Sequence, residues 1–169
     1  MREYKSKTKE IILTTTIETP VGEMFAACTK KGLVMFTYFA PLNLEARIDI
    51  LKKSFDADII PSNCDLFDNL RVQLEEYFNK KRDEFDIPMQ LVGSNFQIEI
   101  YKKLLEIPYG KTFSLEQFSN SFEYKANSLK SPIAQNMIHI LVPCHRIKDI
   151  DIYSGGIDKK EKLLKLEEK

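Results

Sequence analysis

The sequence predicts an α+β protein in two parts: a sheet-and-helix α/β part over residues 1–88, then a mostly helical part over residues 89–169. Three observations carry this. Residues Ile11 to Phe39 are rich in Thr, Ile, Val and Phe and are cut by turn signals, the pattern of short antiparallel strands. From Phe96 onward the apolar residues recur at helical spacing in short stretches. Between these regions, Asp83 to Gly93 loses helical periodicity and contains Pro88, as a linker does.

The strand region divides at Thr19-Pro20-Val21-Gly22 and at Lys30-Lys31-Gly32 into three strands. In the second, Phe25 and Ala27 point to one face and Met24, Ala26 and Cys28 to the other, so Cys28 is expected to pack as a small apolar residue. Leu44 to Phe55 reads as a helix, and Asp58-Ile59-Ile60 as an added edge strand. Phe67, Leu70, Leu74, Tyr77 and Phe78 place another helix between Asp65, its cap, and Lys80. Its basic end, Asn79-Lys80-Lys81-Arg82, suits the helix dipole and reads as a solvated terminus. Cys64 is assigned no function.

In the second part, Phe96, Ile100 and Leu104 share a helical face, and Ile107-Pro108-Tyr109-Gly110 ends that helix. Ser114 followed by Gln117 is a capping-box pattern. The helices predicted over residues 115–122 and 126–135 form a helix-turn-helix. Ile140-Leu141-Val142 reads as a buried strand, and Asp158 caps a final helix that runs to Glu167.

Composition narrows the function. Apolar residues make up 43% of the chain, enough for a packed core. Twenty-five basic and 25 acidic residues cancel, so contact with a nucleic acid must come from a local patch. Three dispersed cysteines and two histidines give neither a disulfide framework nor a zinc site, and no metal or cofactor is expected. The charged start, Met1 to Lys7, leads into no apolar run, and no segment reaches membrane-spanning length. The expectation is a cytoplasmic monomer with no membrane partner.

The chemistry concentrates at Pro143-Cys144-His145-Arg146. A thiol attacks as its thiolate, so a reactive cysteine needs a base or positive charge nearby. His145 offers the base, and Arg146 adds positive charge, although its side chain can equally be structural. Alone, a Cys-His dipeptide also fits a buried structural cysteine. The bland readings of other residues stand beside this one: Lys159-Lys160 as a solvated face, Glu167 as a surface carboxylate, His139 as a structural residue on a strand.

An ordered succession changes the balance. Gly93-Ser94-Asn95-Phe96-Gln97, Ile107 to Thr112, Asn136, Val142 to Arg146, Tyr153-Ser154-Gly155-Gly156 and Lys160 to Glu167 resemble the C-terminal domain of the O6-alkylguanine-DNA alkyltransferases, and Thr19 to Gly22 with Leu74-x-x-Tyr77-Phe78 extend the resemblance to nearly the whole chain. It implies a ribonuclease-H-like N-terminal domain and a winged-helix-like helix-turn-helix in the C-terminal one. It also implies stoichiometric transfer of an alkyl group from guanine O6 in DNA to Cys144, with His145 as base through a water and Glu167 orienting the imidazole. Asn136 would hold the turn. Tyr153, Ser154, Gly155 and Gly156 would line the guanine pocket, with the Val142 carbonyl reading the base edge.

The flipped base would be reached from the minor groove. Ser114, Leu115, Lys125, Asn127, Ser128, Lys130, Ser131 and Arg146 are the expected DNA contacts. Here the chain departs from the family: Leu115 stands where a tyrosine is usual, Asn127 where an arginine fills the vacated stack, and Ser128-Leu129-Lys130-Ser131 where small residues and a glycine occur. These departures predict weaker base flipping with the chemical step retained. The alternatives are a non-catalytic protein that binds alkylated bases and flags them for other repair factors, or an unrelated Cys-His hydrolase.

Overall fold

The computed structural model describes residues 9–169, apart from the side chains at 41 and 42; the charged start lies outside the described residues. The chain runs β1 (Glu10–Thr19), β2 (Gly22–Thr29), β3 (Gly32–Tyr38), α1 (Pro41–Phe55), β4 (Ala57–Pro61), α2 (Asp65–Phe78), α3 (Asn95–Leu104), α4 (Leu115–Ser119), α5 (Ala126–Ala134) and α6 (Ile157–Leu166). No helix among the described residues is long and apolar enough to cross a membrane.

The sheet has the order β3-β2-β1-β4. β1 to β3 form the expected antiparallel meander. β4 is the expected edge strand but pairs parallel to β1, so the sheet is mixed rather than antiparallel. The cause is α1, a helical crossover that brings the chain back in the same direction. β2 is covered on both faces: Met24, Ala26 and Cys28 enter the larger core, and Ala27 joins Ile12, Val34, Met35, Leu44 and Leu51 in a smaller one that includes α1.

The outer edge of β3 is covered by two later segments. Leu33 N–H donates to Pro88 O (2.8 Å) and its carbonyl accepts from Gln90 N–H (2.9 Å), which pins the segment expected to be a linker. Further along, Phe36 N–H donates to Met137 O (2.8 Å) and Phe36 O accepts from His139 N–H (2.7 Å). The sheet edge thereby anchors the backbone that leads to Cys144.

Several ends differ from the expectations. Cys64, with extended backbone, is the N-cap of α2, and Asp65 is its first helical residue. Gly156, at φ 91°, is the N-cap of α6, so Asp158 lies inside the first turn, where its charge still favours the helix N-terminus. α4 stops at Ser119, short of the expected end at Phe122. Ile140-Leu141-Val142 is a buried turn, not a strand: Ile140 takes φ 69°, which reverses the chain, and its neighbour Ile138 makes the single bridge to Phe36. Left-handed backbone at a β-branched residue costs on the order of 1–3 kcal/mol, so this turn must be held by its surroundings.

Candidate active site

Asn136 supplies that hold. Its Nδ2 donates to Ile138 O (3.1 Å), Val142 O (3.1 Å) and Cys144 Sγ (3.3 Å), and its Oδ1 accepts from Ile138 N–H (3.0 Å). One buried amide thus closes the strained turn and touches the thiol. Cys144 opens a single 3₁₀ turn, Cys144–Arg146, and is itself buried. Burial raises the Cys144 thiol above its ordinary range, opposed by the Asn136 hydrogen bond and the charges of Lys160 and Arg47. The thiol therefore needs a base to react at neutral pH.

His145 is fully buried beside it. Nε2 lies 2.8 Å from Glu167 Oε1, while Nδ1 is buried and meets no hydrogen-bond partner among the described residues. Glu167, the C-cap of α6, also accepts from Arg146 Nε to Oε2 (2.9 Å), and from Arg146 Nη2 (2.9 Å) and the Tyr77 hydroxyl (2.7 Å) to Oε1. Burial alone would raise the Glu167 carboxyl, but the hydrogen bonds and charges of His145 and Arg146 hold it down at about 2. Burial lowers His145 despite its bond to Glu167, so the imidazole is neutral. A carboxylate acceptor at Nε2 requires the proton there and leaves the Nδ1 lone pair free to take one.

The structure corrects the place of Arg146 among the expected DNA contacts. Its guanidinium is buried, paired with Glu167 through two bonds, and donates from Nη1 to Ile107 O (2.6 Å). Its donors face inward, where they balance the buried carboxylate. The Val142 carbonyl is likewise removed as a reader of the base edge, because Asn136 Nδ2 and Cys144 N–H (2.8 Å) already occupy it.

Tyr153, Ser154, Gly155 and Gly156 lie on the loop before α6, and the sheet side of the molecule holds them there. The Tyr153 hydroxyl is 2.7 Å from that of Tyr38 at the end of β3. Arg47 of α1 donates to Ser154 Oγ (2.8 Å), Thr37 Oγ1 (2.9 Å) and Asn136 O (3.1 Å), joining this loop to the turn before the thiol. A Cβ at Gly155 would lie 2.8 Å from the Tyr38 ring, so glycine is required there by contact. Lys160, part of a solvated face on the bland reading of the sequence, is buried and donates to Ile147 O (2.7 Å) and Ile150 O (2.6 Å), fixing the segment after the 3₁₀ turn.

Cys144 opens onto a cavity of about 10 Å³ bordered by His139, Ile152, Tyr153, Ser154 and Lys160. That is room for roughly one water. His139 is buried in the 138–142 turn rather than on a strand, T-stacked on Tyr38 and Tyr153. Burial holds it neutral, with its pKa lowered to about 3. Ile152, by contrast, is 73% exposed at the rim.

The helix-turn-helix is present as α4 and α5, joined by residues 120–125. Ser114 caps α4 in a reciprocal pair with Gln117. Lys125, the N-cap of α5, and Asn127, Ser128, Lys130 and Ser131 line the outer side of this unit, and all five are exposed. Leu115 is not available in this way: its side chain is buried in the core, and only its backbone is engaged, donating to Asp149 Oδ1 (2.6 Å). It cannot supply a side-chain contact to DNA.

Sequence reasoning missed Tyr77, Arg47, Tyr38 and Lys160. Tyr77 had a signal, because a tyrosine on the core face of a helix needs a partner for its hydroxyl. The other three are linked to the site by contacts between distant parts of the chain, which leave no local pattern.

A buried thiol beside a neutral histidine with a carboxylate behind it, set next to an exposed helix-turn-helix, defines a cysteine-acceptor protein with a nucleic-acid-facing surface. The family model described as 6-O-methylguanine DNA methyltransferase, ribonuclease-like domain, matches residues 12–91, and the one described as that family's DNA binding domain matches residues 95–169. A methylated-DNA--protein-cysteine methyltransferase of Methanosarcina barkeri is 37% identical over 160 residues, 90% of this chain and 94% of its own. The inducible enzyme of that name from Bacillus subtilis is 30% identical over 86% of this chain and 84% of its own. The crystal structure of Mycobacterium tuberculosis OGT in complex with DNA superposes with a TM-score of 0.73 at 28% identity, covering 93% of this chain and 92% of that one. The chain belongs to the 6-O-methylguanine DNA methyltransferase family.

Proposed function

We propose that this protein repairs DNA by moving the alkyl group of O6-alkylguanine directly onto Cys144, once per molecule. The observation that carries the reading is the polarity of the His145–Glu167 pair, next in sequence to the thiol: a carboxylate fixes the proton on Nε2 and leaves Nδ1 free to act as a base. Nδ1 takes the thiol proton, directly or through a water. The sulfur then attacks the alkyl carbon, the S–C bond forms as the C–O6 bond breaks, and the proton is returned to the guanine, which leaves with its ordinary carbonyl. The product thioether has no neighbouring group able to reverse it. The sheet-bearing part, residues 1–88, supports the acceptor part, residues 89–169, by holding its loops.

The target base must leave the duplex to reach a buried thiol. The α5 face with Lys125, Asn127, Ser128, Lys130 and Ser131 would meet DNA from the minor groove, as a monomer in the cytoplasm. A cavity of about 10 Å³ does not hold a nucleobase, so the loop through Ile152 and Tyr153 must yield as the guanine enters. The thiol and its complete set of partners disfavour a non-catalytic lesion binder.

The test is incubation with duplex or single-stranded DNA carrying O6-methylguanine, followed by intact-protein mass. The expected result is a gain of one CH2 per molecule and no second turnover. An unchanged mass with every substrate, or repeated turnover, contradicts the reading.

A further inference from the structure

Two of the three cysteines take no part in the chemistry at Cys144, yet they face each other. Cys28 lies near the end of β2 and Cys64 caps α2, 36 positions later, and their sulfurs are 3.7 Å apart. Both are free thiols. They differ in access: Cys28 is 4% exposed within the larger core, whereas Cys64 is half-buried at its margin. The β2–β3 register shifts between Ala27 and Cys28, an irregularity that re-aims the side chain locally. Burial first, then the hydrogen bond with Cys64, pushes the Cys28 thiol up to about 12.

A metal does not account for the pair. Two thiols fall short of the four ligands a structural zinc takes, and no cluster of three or more His, Cys, Asp or Glu suited to a metal occurs among the described residues. A disulfide requires the sulfurs to close from 3.7 Å to about 2.05 Å. Reactivity toward peroxide requires access, which puts half-buried Cys64 ahead of the buried Cys28 and Cys144.

We propose that Cys28 and Cys64 form an oxidative modification site that a peroxide converts to an intramolecular disulfide and a thiol reductant restores, leaving Cys144 as a thiol. The Cys64 sulfur attacks one peroxide oxygen; an S–O bond forms, the O–O bond breaks, and the thiol proton leaves in the first water. The Cys28 sulfur then attacks the Cys64 sulfur of the resulting sulfenic acid; the S–S bond forms, the S–O bond breaks, and the Cys28 proton leaves in a second water. Together the two sulfurs lose the two electrons that the peroxide gains. The bridge ties the start of α2, the helix that holds Tyr77 against Glu167, to the sheet.

The full chain is treated with a few equivalents of hydrogen peroxide, its remaining thiols are alkylated, and the unreduced digest is mapped by mass spectrometry. The expected map shows a Cys28–Cys64 linked peptide from monomeric protein with Cys144 recovered as a blocked thiol. Free thiols fall from three to one, and dithiothreitol restores them. The oxidised protein should melt several degrees higher, since a cross-link restricts the unfolded chain. Cys64→Ser should lose both the bridge and the shift while keeping alkyl transfer. Recovery of both cysteines as free thiols, of Cys64 as a sulfinic acid or in a covalent dimer, or of Cys144 as the first site oxidised would overturn the proposal; the wild-type map alone decides it if the variant does not fold.

Discussion

Glu167 determines which nitrogen of His145 is basic: with Oε1 2.8 Å from Nε2, the imidazole must carry its proton there, and Nδ1 is left as the acceptor. The same carboxylate neutralises Arg146 and takes the Tyr77 hydroxyl, so it joins the thiol's base to the packing of α2 and α6.

Glu167→Gln is therefore expected to damage both stability and chemistry. It leaves the buried Arg146 without its counter-charge, a loss of roughly 3–5 kcal/mol. Urea denaturation measures that loss. Single-turnover methyl transfer by the folded fraction should slow as well, because a glutamine can present its amide to Nε2 and reverse the tautomer.

Acid sensitivity follows from two buried groups. Glu167 is held at about 2, below the 4.5 of a free glutamate, so the stability it contributes is present above 4.5 and is lost as pH falls toward 2. His139, lowered from 6.5 to about 3, stays neutral in the fold while the unfolded chain takes up a proton, so stability also falls with pH from 6.5 toward 3. Both effects have the same sign. Denaturation midpoints at pH 7, 5 and 4 should fall in that order, and His139→Gln should flatten the step between 7 and 5 relative to wild type.

Gly155→Ala drives a methyl into the Tyr38 ring, 2.8 Å away, and should cost about 1–3 kcal/mol by overpacking. Tyr38→Ala removes the obstacle, so the double variant should lose less than the sum of the singles. A thermal-denaturation double-mutant cycle reads the coupling, and additive losses would show that the ring does not constrain the loop.

On the α5 face, Lys125→Ala and Lys130→Ala should weaken binding to all duplex sequences alike and reduce the salt slope by about 0.9 for each phosphate left unneutralised. Asn127→Arg should tighten binding to duplex carrying O6-methylguanine on the order of tenfold, about 1.4 kcal/mol. Fluorescence anisotropy across a salt series checks both. Leu115→Tyr is not expected to help in the same way, because Leu115 points into the core.

Much of the site was legible because its chemistry is concentrated in sequence. Cys144 and His145 are adjacent, and Asn136, Tyr153 and Glu167 fall in recognisable order around them. The meander was legible through the alternation of Met24 to Cys28, and the start of α4 through Ser114 and Gln117. What escaped depends on tertiary packing. An apolar run such as Ile140-Leu141-Val142 has the same composition in a buried strand and in a buried turn, and no glycine marked the positive φ at Ile140. The parallel pairing of β4 depends on which strand edge the α1 crossover reaches. Arg47 meets Ser154 across 107 positions, and Lys160 is buried only because two carbonyls await it.

The most direct test of the account is the site of the adduct. After incubation with duplex DNA carrying O6-methylguanine, peptide mapping should find one methyl thioether, on Cys144, in an amount equal to the lesion consumed, and none in Cys144→Ser. A methyl group on Cys28 or Cys64, or loss of the lesion without any adduct on Cys144, would contradict it.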